Sequence, residues 1–182
     1  DVFEDLGLKD WYVKNGAIDF VYRNKLFDGV SKTEFAPNEN MTRAMFVTVL
    51  GRMAGVSVSK NVKTKFSDVK SGQWYTGYIK WASDNGIVNG DNGKFMPDDN
   101  VTREQICKMM VTYCSFAGVK LKTDHKEVIF KDQAKISGWA KKYVKKCQMA
   151  GLVNGSDGYF RPQGYATRAE VATIIMNFKK SY

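Results

Sequence analysis

Three arginines in this chain carry a positive charge where the local backbone opposes it. Arg43, Arg103 and Arg168 each follow a threonine and each lead into an apolar run of helical spacing. The threonine reads as a helix N-cap, accepting from the amide three residues on. The arginine then lies in the first turn, against the positive end of the helix dipole. A basic residue so placed three times over requires another reason, either a buried carboxylate partner or an anionic ligand. The acid that completes a capping box is Glu170 in the third instance, the amide Gln105 in the second and absent in the first, where Met45 stands in its place.

The surroundings of these arginines recur as well. Each Thr-Arg lies five residues after a proline (Pro37, Pro97, Pro162), itself two residues after a phenylalanine (Phe35, Phe95, Phe160), and the chain has no other proline. Further upstream come Gly29, Gly90 and Gly155, then Trp11, Trp74 and Trp139, then a Phe-x-Asp ending at Asp5, Asp68 and Asp132. The 182 residues therefore divide into three tandem units, 1–55, 65–118 and 129–182, with connectors between them. Such self-similarity marks a repeat whose members bury a core only by packing on their neighbours. Relative to the second unit, the first carries two extra residues between Trp11 and Ile18 and one between Gly29 and Phe35; the third carries one before Trp139. These fall where loops tolerate length.

Each unit reads as helix, loop, helix. In the second, the segment from Trp74 to Ala82 places Tyr75, Tyr78, Ile79 and Ala82 at i, i+3, i+4 and i+7, an amphipathic helix. Matching apolar pairs are Ile18/Val21 and Val144/Cys147. Gly86 and Gly151 follow the first helices as left-handed terminators; Lys25 holds that place in the first unit, so its helix is expected to end differently. Phe-x-Asp is suited to tucking the ring inward while the carboxylate bonds the following turn. The glycine loops fit tight turns with uncovered amides. The second helices are apolar around much of their circumference, which places them at the centre. The expected fold is all-α, with the first helices and loops as lobes around a central three-helix bundle.

Composition narrows the function. A hydrophobic fraction of 43% supports a packed core, and no apolar run approaches the roughly 20 residues of a membrane span. There is no signal-peptide pattern at Asp1, and the chain is read as soluble, without membrane contact. Of the net charge of +9, residues 1–119 contribute almost nothing (15 Lys/Arg against 14 Asp/Glu), while residues 120–182 hold 13 against 5. The cluster Lys141, Lys142, Lys145 and Lys146 is either a solvated helix face or an attractor of a polyanion such as nucleic acid or an anionic wall polymer. Cys107, Cys114 and Cys147 are odd in number and read as small core residues. Single His125 makes a zinc site improbable, the Asp-Asn-Gly loop lacks the ligand series of an EF-hand, and no nucleophile elbow or phosphate loop is present. Neither a metal, a cofactor nor a catalytic role is expected.

Taken together, Phe-x-Asp, Trp, Gly-x-Phe-x-Pro and Thr-Arg-x-Glu in triplicate resemble the surface-layer homology (SLH) domain over nearly the entire chain. The resemblance implies a three-lobed spindle of pseudo-threefold symmetry with grooves between adjacent repeats, a monomer forming part of a larger bacterial surface protein. It implies non-covalent anchoring to a secondary cell-wall polymer, through a pyruvylated N-acetylmannosamine. Carried over by position, Arg43, Arg103 and Arg168 would meet the pyruvate carboxylate, joined by glycine-loop amides at Gly29, Gly90 and Gly155 and by the helix N-termini. Trp11, Trp74 and Trp139 would wall the grooves, and Asp5, Asp68 and Asp132 would order them. Only Thr167–Glu170 keeps the family's Thr-Arg-Ala-Glu intact, and the first unit's groove departs furthest. The competing reading is nucleic-acid binding through the basic last third, with steep salt dependence.

Overall fold

The computed structural model describes residues 3–182; residues 1 and 2, with which the first repeat was taken to begin, lie outside the described residues. Seven helices and one short 3-10 turn, Gln133–Lys135, are present among the described residues. Among the described residues, extended segments pair only at isolated single bridges. The helices are α1 (Trp11–Lys14), α2 (Ala17–Arg23), α3 (Arg43–Ala54), α4 (Thr76–Asp84), α5 (Arg103–Ala117), α6 (Lys141–Met149) and α7 (Arg168–Ser181). The protein is thus all-helical and built of three tandem repeats. The amphipathic helix of the second repeat begins at Thr76, two residues later than its periodicity implied, with Trp74 left in the preceding turn. In the first repeat the two extra residues split the helix: α1 stops at Lys14 and α2 restarts after Gly16, whose φ is 76°.

The chain forms two compact units. One combines the described part of Asp1–Met41 with Ala166–Tyr182, and in it α2 packs against α7. Ala17, Ile18 and Val21 are buried on α2, and Val171, Ala172, Ile175 and Phe178 on α7. The other unit, Thr42–Tyr165, packs α3 on α4, α5 on α6, and α3 on α5. In each unit, then, the second helix of one repeat covers the first helix of a different repeat. Close approach in the α3–α4 pair is made possible at Gly51, where a Cβ would strike the Tyr78 ring. Cys107, Cys114 and Cys147 are free and buried, as their places on the apolar stripes implied.

The first helix ends alike in every repeat. Leu26 N donates to Val21 O at 2.9 Å, Ile87 N to Ala82 O at 2.8 Å and Leu152 N to Cys147 O at 2.9 Å, each with the companion bond of a Schellman motif from the preceding amide to the carbonyl three residues back. The expectation of a different ending in the first repeat is therefore overturned. Lys25 takes the left-handed conformation itself, with φ of 57°, beside 70° for Gly86 and 76° for Gly151. The six-to-one hydrogen bond and the burial of Leu26 fix the chain there, and Lys25 bears a steric cost that glycine would escape.

Candidate functional site

The aspartates of Phe-x-Asp act as clamps. Asp68 accepts from Phe95 N and Met96 N, both at 2.8 Å. Asp5 holds Phe35 N and Ala36 N at 2.9 and 2.7 Å, and Asp132 holds Phe160 N and Arg161 N at 2.9 and 2.8 Å. The middle residue of each Phe-x-Pro is non-glycine at positive φ: 56° for Ala36, 60° for Met96, 59° for Arg161. Two amides converging on one carboxylate offset that strain. Burial alone would raise the Asp132 carboxyl, but the amides of Phe160 and Arg161 outweigh it and the pKa lies below the usual carboxylate value. The glycines seat the ring of the same motif: a Cβ on Gly90 would collide with Phe66, and one on Gly155 would lie 2.8 Å from Phe130.

Each Thr-Arg terminus docks on the Phe-x-Pro loop of another repeat. Arg43 N and Ala44 N donate to Asp99 O and Pro97 O at 2.8 and 3.0 Å. Arg103 N and Glu104 N reach Gly164 O and Pro162 O at 2.9 and 3.0 Å; Arg168 N and Ala169 N reach Glu39 O and Pro37 O at 2.8 and 2.9 Å. The third amide goes to the capping threonine in all three helices, and full capping boxes form at Thr102/Gln105 and Thr167/Glu170. The expectation that helix N-termini supply donors to an anion is thus corrected: carbonyls and threonines occupy those amides.

The side chains of the arginines differ. Arg168, from the intact Thr-Arg-Ala-Glu, is only 5% exposed; its Nε donates to Phe35 O at 2.8 Å and its Nη2 to Asp28 O at 2.6 Å. Two backbone carbonyls and the face of Phe35, 4.8 Å away, are among the contacts of this charge. Arg43 repeats the first part of this arrangement, with Nε on Phe95 O at 2.9 Å and its guanidinium 4.8 Å from the Phe95 centroid. Its Nη groups, however, meet no protein acceptor among the described residues and border an open cleft. Burial lowers the Arg43 pKa, and the nearby Asp99 and Asp68 work against that lowering.

That cleft, of about 860 Å³, lies within the Thr42–Tyr165 unit. Arg43 comes from the first repeat, Gly90 with the loop Ile87–Asp91 and Phe95 from the second, Trp139 and Tyr165 from the third. Trp139 is 47% exposed and Tyr165 50%, and Lys108 Nζ stands 5.4 Å above the Trp139 ring. Glu104, where the family motif has alanine, is buried and accepts from Ser137 N at 3.0 Å and Ser137 Oγ at 2.7 Å. It fixes the turn that presents Trp139. A concave site with a desolvated guanidinium and flanking aromatics can offer charge-assisted donors to an anionic group and apolar faces beside it.

Of the twelve residues singled out from sequence, the cleft gathers Arg43, Gly90 and Trp139, with Asp68 behind it as the clamp on Phe95 and Met96. Arg103 docks on the loop clamped by Asp132, beyond Gly155, while Arg168 docks on the loop clamped by Asp5, beyond Gly29. Trp11 and Trp74 are half-exposed and do not line this cleft. Sequence reasoning missed Lys108, Tyr165 and Glu104. Lys108 occupies a register where the other second helices have Thr48 and Thr173, and Tyr165 aligns with Asn40 and Asn100, so no repeated pattern marks them.

Comparison with known proteins adds the following. Residues 2–45, 65–107 and 129–172 match the model of a family described as the S-layer homology domain. The chain is 34% identical over 174 residues to an amylopullulanase of Thermoanaerobacterium thermosulfurigenes, covering 92% of this chain and 9% of that protein. It is 32% identical over 148 residues to a cellulosome-anchoring protein of Acetivibrio thermocellus, covering 78% and 32%. To the S-layer protein sap of Bacillus anthracis it is 25% identical over 183 residues, covering 99% and 21%. The chain spans less than a third of the length of any of these relatives.

Proposed function

The chain belongs to the S-layer homology domain family, and on that premise we propose that it tethers a longer surface protein to the bacterial wall by clasping an acidic sugar of the secondary wall polymer in the Arg43 cleft. Cell-surface anchoring is the role common to an S-layer protein and a cellulosome-anchoring protein. An amylopullulanase with the same stretch uses it over 9% of its length, which fits a tether rather than a catalytic part.

The observation that carries the reading is the state of Arg43. Its Nε is fixed on Phe95 O, so the plane of the guanidinium is set before any ligand arrives, and both Nη groups are left to the cleft. A carboxylate such as that of a pyruvate ketal would take them in a bidentate, charge-assisted pair. Preorganisation of this kind lowers the entropy lost on binding. Trp139 would cover an apolar sugar face, and the backbone of the loop around Gly90 would contact the ligand. No bond is made or broken; the chemistry is recognition alone.

Arg103 with Gly155, and Arg168 with Gly29, are proposed as contacts of the same kind, the latter weakened because Asp28 O already takes Nη2. Unequal sites still hold a polymer well, since a second contact is intramolecular. The test is sedimentation with purified cell wall before and after chemical removal of ketal-linked pyruvate. Loss of binding on removal is expected; equal binding to both preparations would overturn the reading.

A further inference from the structure

A second concavity, of about 450 Å³, opens on the C-terminal half of α5 and the lysine-rich face of α6. Its floor is apolar, formed by Val111, Val119, Leu121 and Met149. Its rim carries Lys120, Lys122, Lys142, Lys145 and Lys146, all exposed. Glu127 answers Lys145 at 2.9 Å. Lysine stems commonly cover apolar surface. The clustered ammonium groups around one small groove nonetheless repel one another, and they stand in the part of the chain that holds most of its excess charge.

This groove and the Arg43 cleft share one helix pair. Lys108 and Ser115 are seven residues apart on α5, hence on one face and about 10 Å apart along the axis; the first lines the cleft and the second the groove. Trp139 lines the cleft just before α6, and Lys142 and Lys146 follow it at successive turns into the groove. A chain molecule held at Arg43 and running along the α5–α6 pair would therefore reach the groove.

We propose that the lysine-rimmed groove is a second contact for the same wall polymer, taking an anionic repeat unit that bears phosphate or carboxylate while the acidic sugar occupies the Arg43 cleft. The inference rests on the reading of that cleft given above. The apolar floor suits the C–H face of a sugar ring. Single-stranded nucleic acid is the poorer occupant, because no aromatic side chain lines the groove to stack a base.

The test uses the whole chain and three probes: the pyruvylated monosaccharide as its methyl glycoside, the purified wall polymer, and a single-stranded oligonucleotide of matched charge. The variant Lys142→Gln/Lys145→Gln/Lys146→Gln keeps the side-chain stems. It is expected to bind the monosaccharide as the parent does, to lose about ten- to a hundredfold in polymer affinity at low salt, and to show a shallower salt dependence. A control changing Lys60, Lys63 and Lys70 to Gln removes equal charge elsewhere and is expected to bind the polymer as the parent does. Unchanged polymer affinity and salt slope in the α6 variant, or equal loss in the control, would overturn the proposal. An oligonucleotide bound by the parent as tightly as the polymer would overturn its occupant. Failure of the cleft reading is a separate result: Arg43→Ala would then leave monosaccharide affinity unchanged.

Discussion

Removal of the Asp68 carboxylate tests how the cleft is held open in the right shape. Its two oxygens take Phe95 N and Met96 N at 2.8 Å, and the carbonyl of the same Phe95 takes Arg43 Nε at 2.9 Å. A hydrogen bond to an ionised acceptor is worth about 1.5–3 kcal/mol. The bond to Met96 N is exposed, so water replaces part of it, and Asp68→Ala is expected to lower stability by about 2–3 kcal/mol in urea unfolding. Without the clamp Met96 no longer needs φ of 60°, the Phe95 peptide turns, and Arg43 loses its fixed plane. Affinity for the pyruvylated monosaccharide, measured by calorimetry, should fall about tenfold, a loss of roughly 1.4 kcal/mol. Asp5→Ala removes the same clamp from the other unit, at 2.9 and 2.7 Å, and should match the stability loss while sparing the Arg43 cleft. Stability within about 0.5 kcal/mol of the parent in Asp68→Ala would refute the clamp. An equal affinity loss in Asp5→Ala would refute the relay through Phe95.

Further outcomes follow from single residues. Lys25→Gly should raise stability by about 0.5–1 kcal/mol, because glycine takes φ of 57° without steric cost; a lower denaturation midpoint would contradict the shared helix ending. Burial pushes the Cys114 thiol up to about 12, and a hydrogen bond toward Cys107 together with burial raises Cys147 well above the ordinary thiol value. Neither cysteine should react with a disulfide reagent at pH 8 in the folded protein, and both should in denaturant. Asp132 has a native pKa below its unfolded value, so its stabilising contribution is complete above the ordinary carboxylate range and lost as pH falls through the lowered value. Asp132→Asn should accordingly flatten the acid limb of stability against pH; an unchanged limb would contradict the assignment.

Most of the local structure was legible in the sequence because it depends on near neighbours. Thr42, Thr102 and Thr167 cap helices, and Glu170 and Gln105 complete their boxes, as residue type and spacing dictate. Ile79 and Ala82 fall on the buried stripe that their period marks. The partner of each repeat was not legible, since a periodic pattern fits pairing within a repeat and pairing across repeats equally well. The first repeat's groove departs furthest from the family pattern, but the cleft that Arg43 lines draws on all three repeats: Arg43 docks on the loop of the second and shares the cleft with Trp139 of the third. The intact motif at Arg168 holds the most buried of the three arginines. Lys25 misled because the six-to-one bond and the anchoring of Leu26 override a residue preference worth about 1 kcal/mol. Lys108 and Tyr165 break the repeat, and only folding places them beside the cleft.

The central claim is that Arg43 recognises a carboxylate. The direct measurement is a thermodynamic cycle by calorimetry: parent and Arg43→Ala, each titrated with the pyruvylated N-acetylmannosamine glycoside and with its neutral methyl ester. The account predicts that Arg43→Ala weakens the acid by about 1.5–3 kcal/mol, roughly 10- to 150-fold, and changes the ester little. An equal loss for acid and ester, or none for the acid, would contradict it.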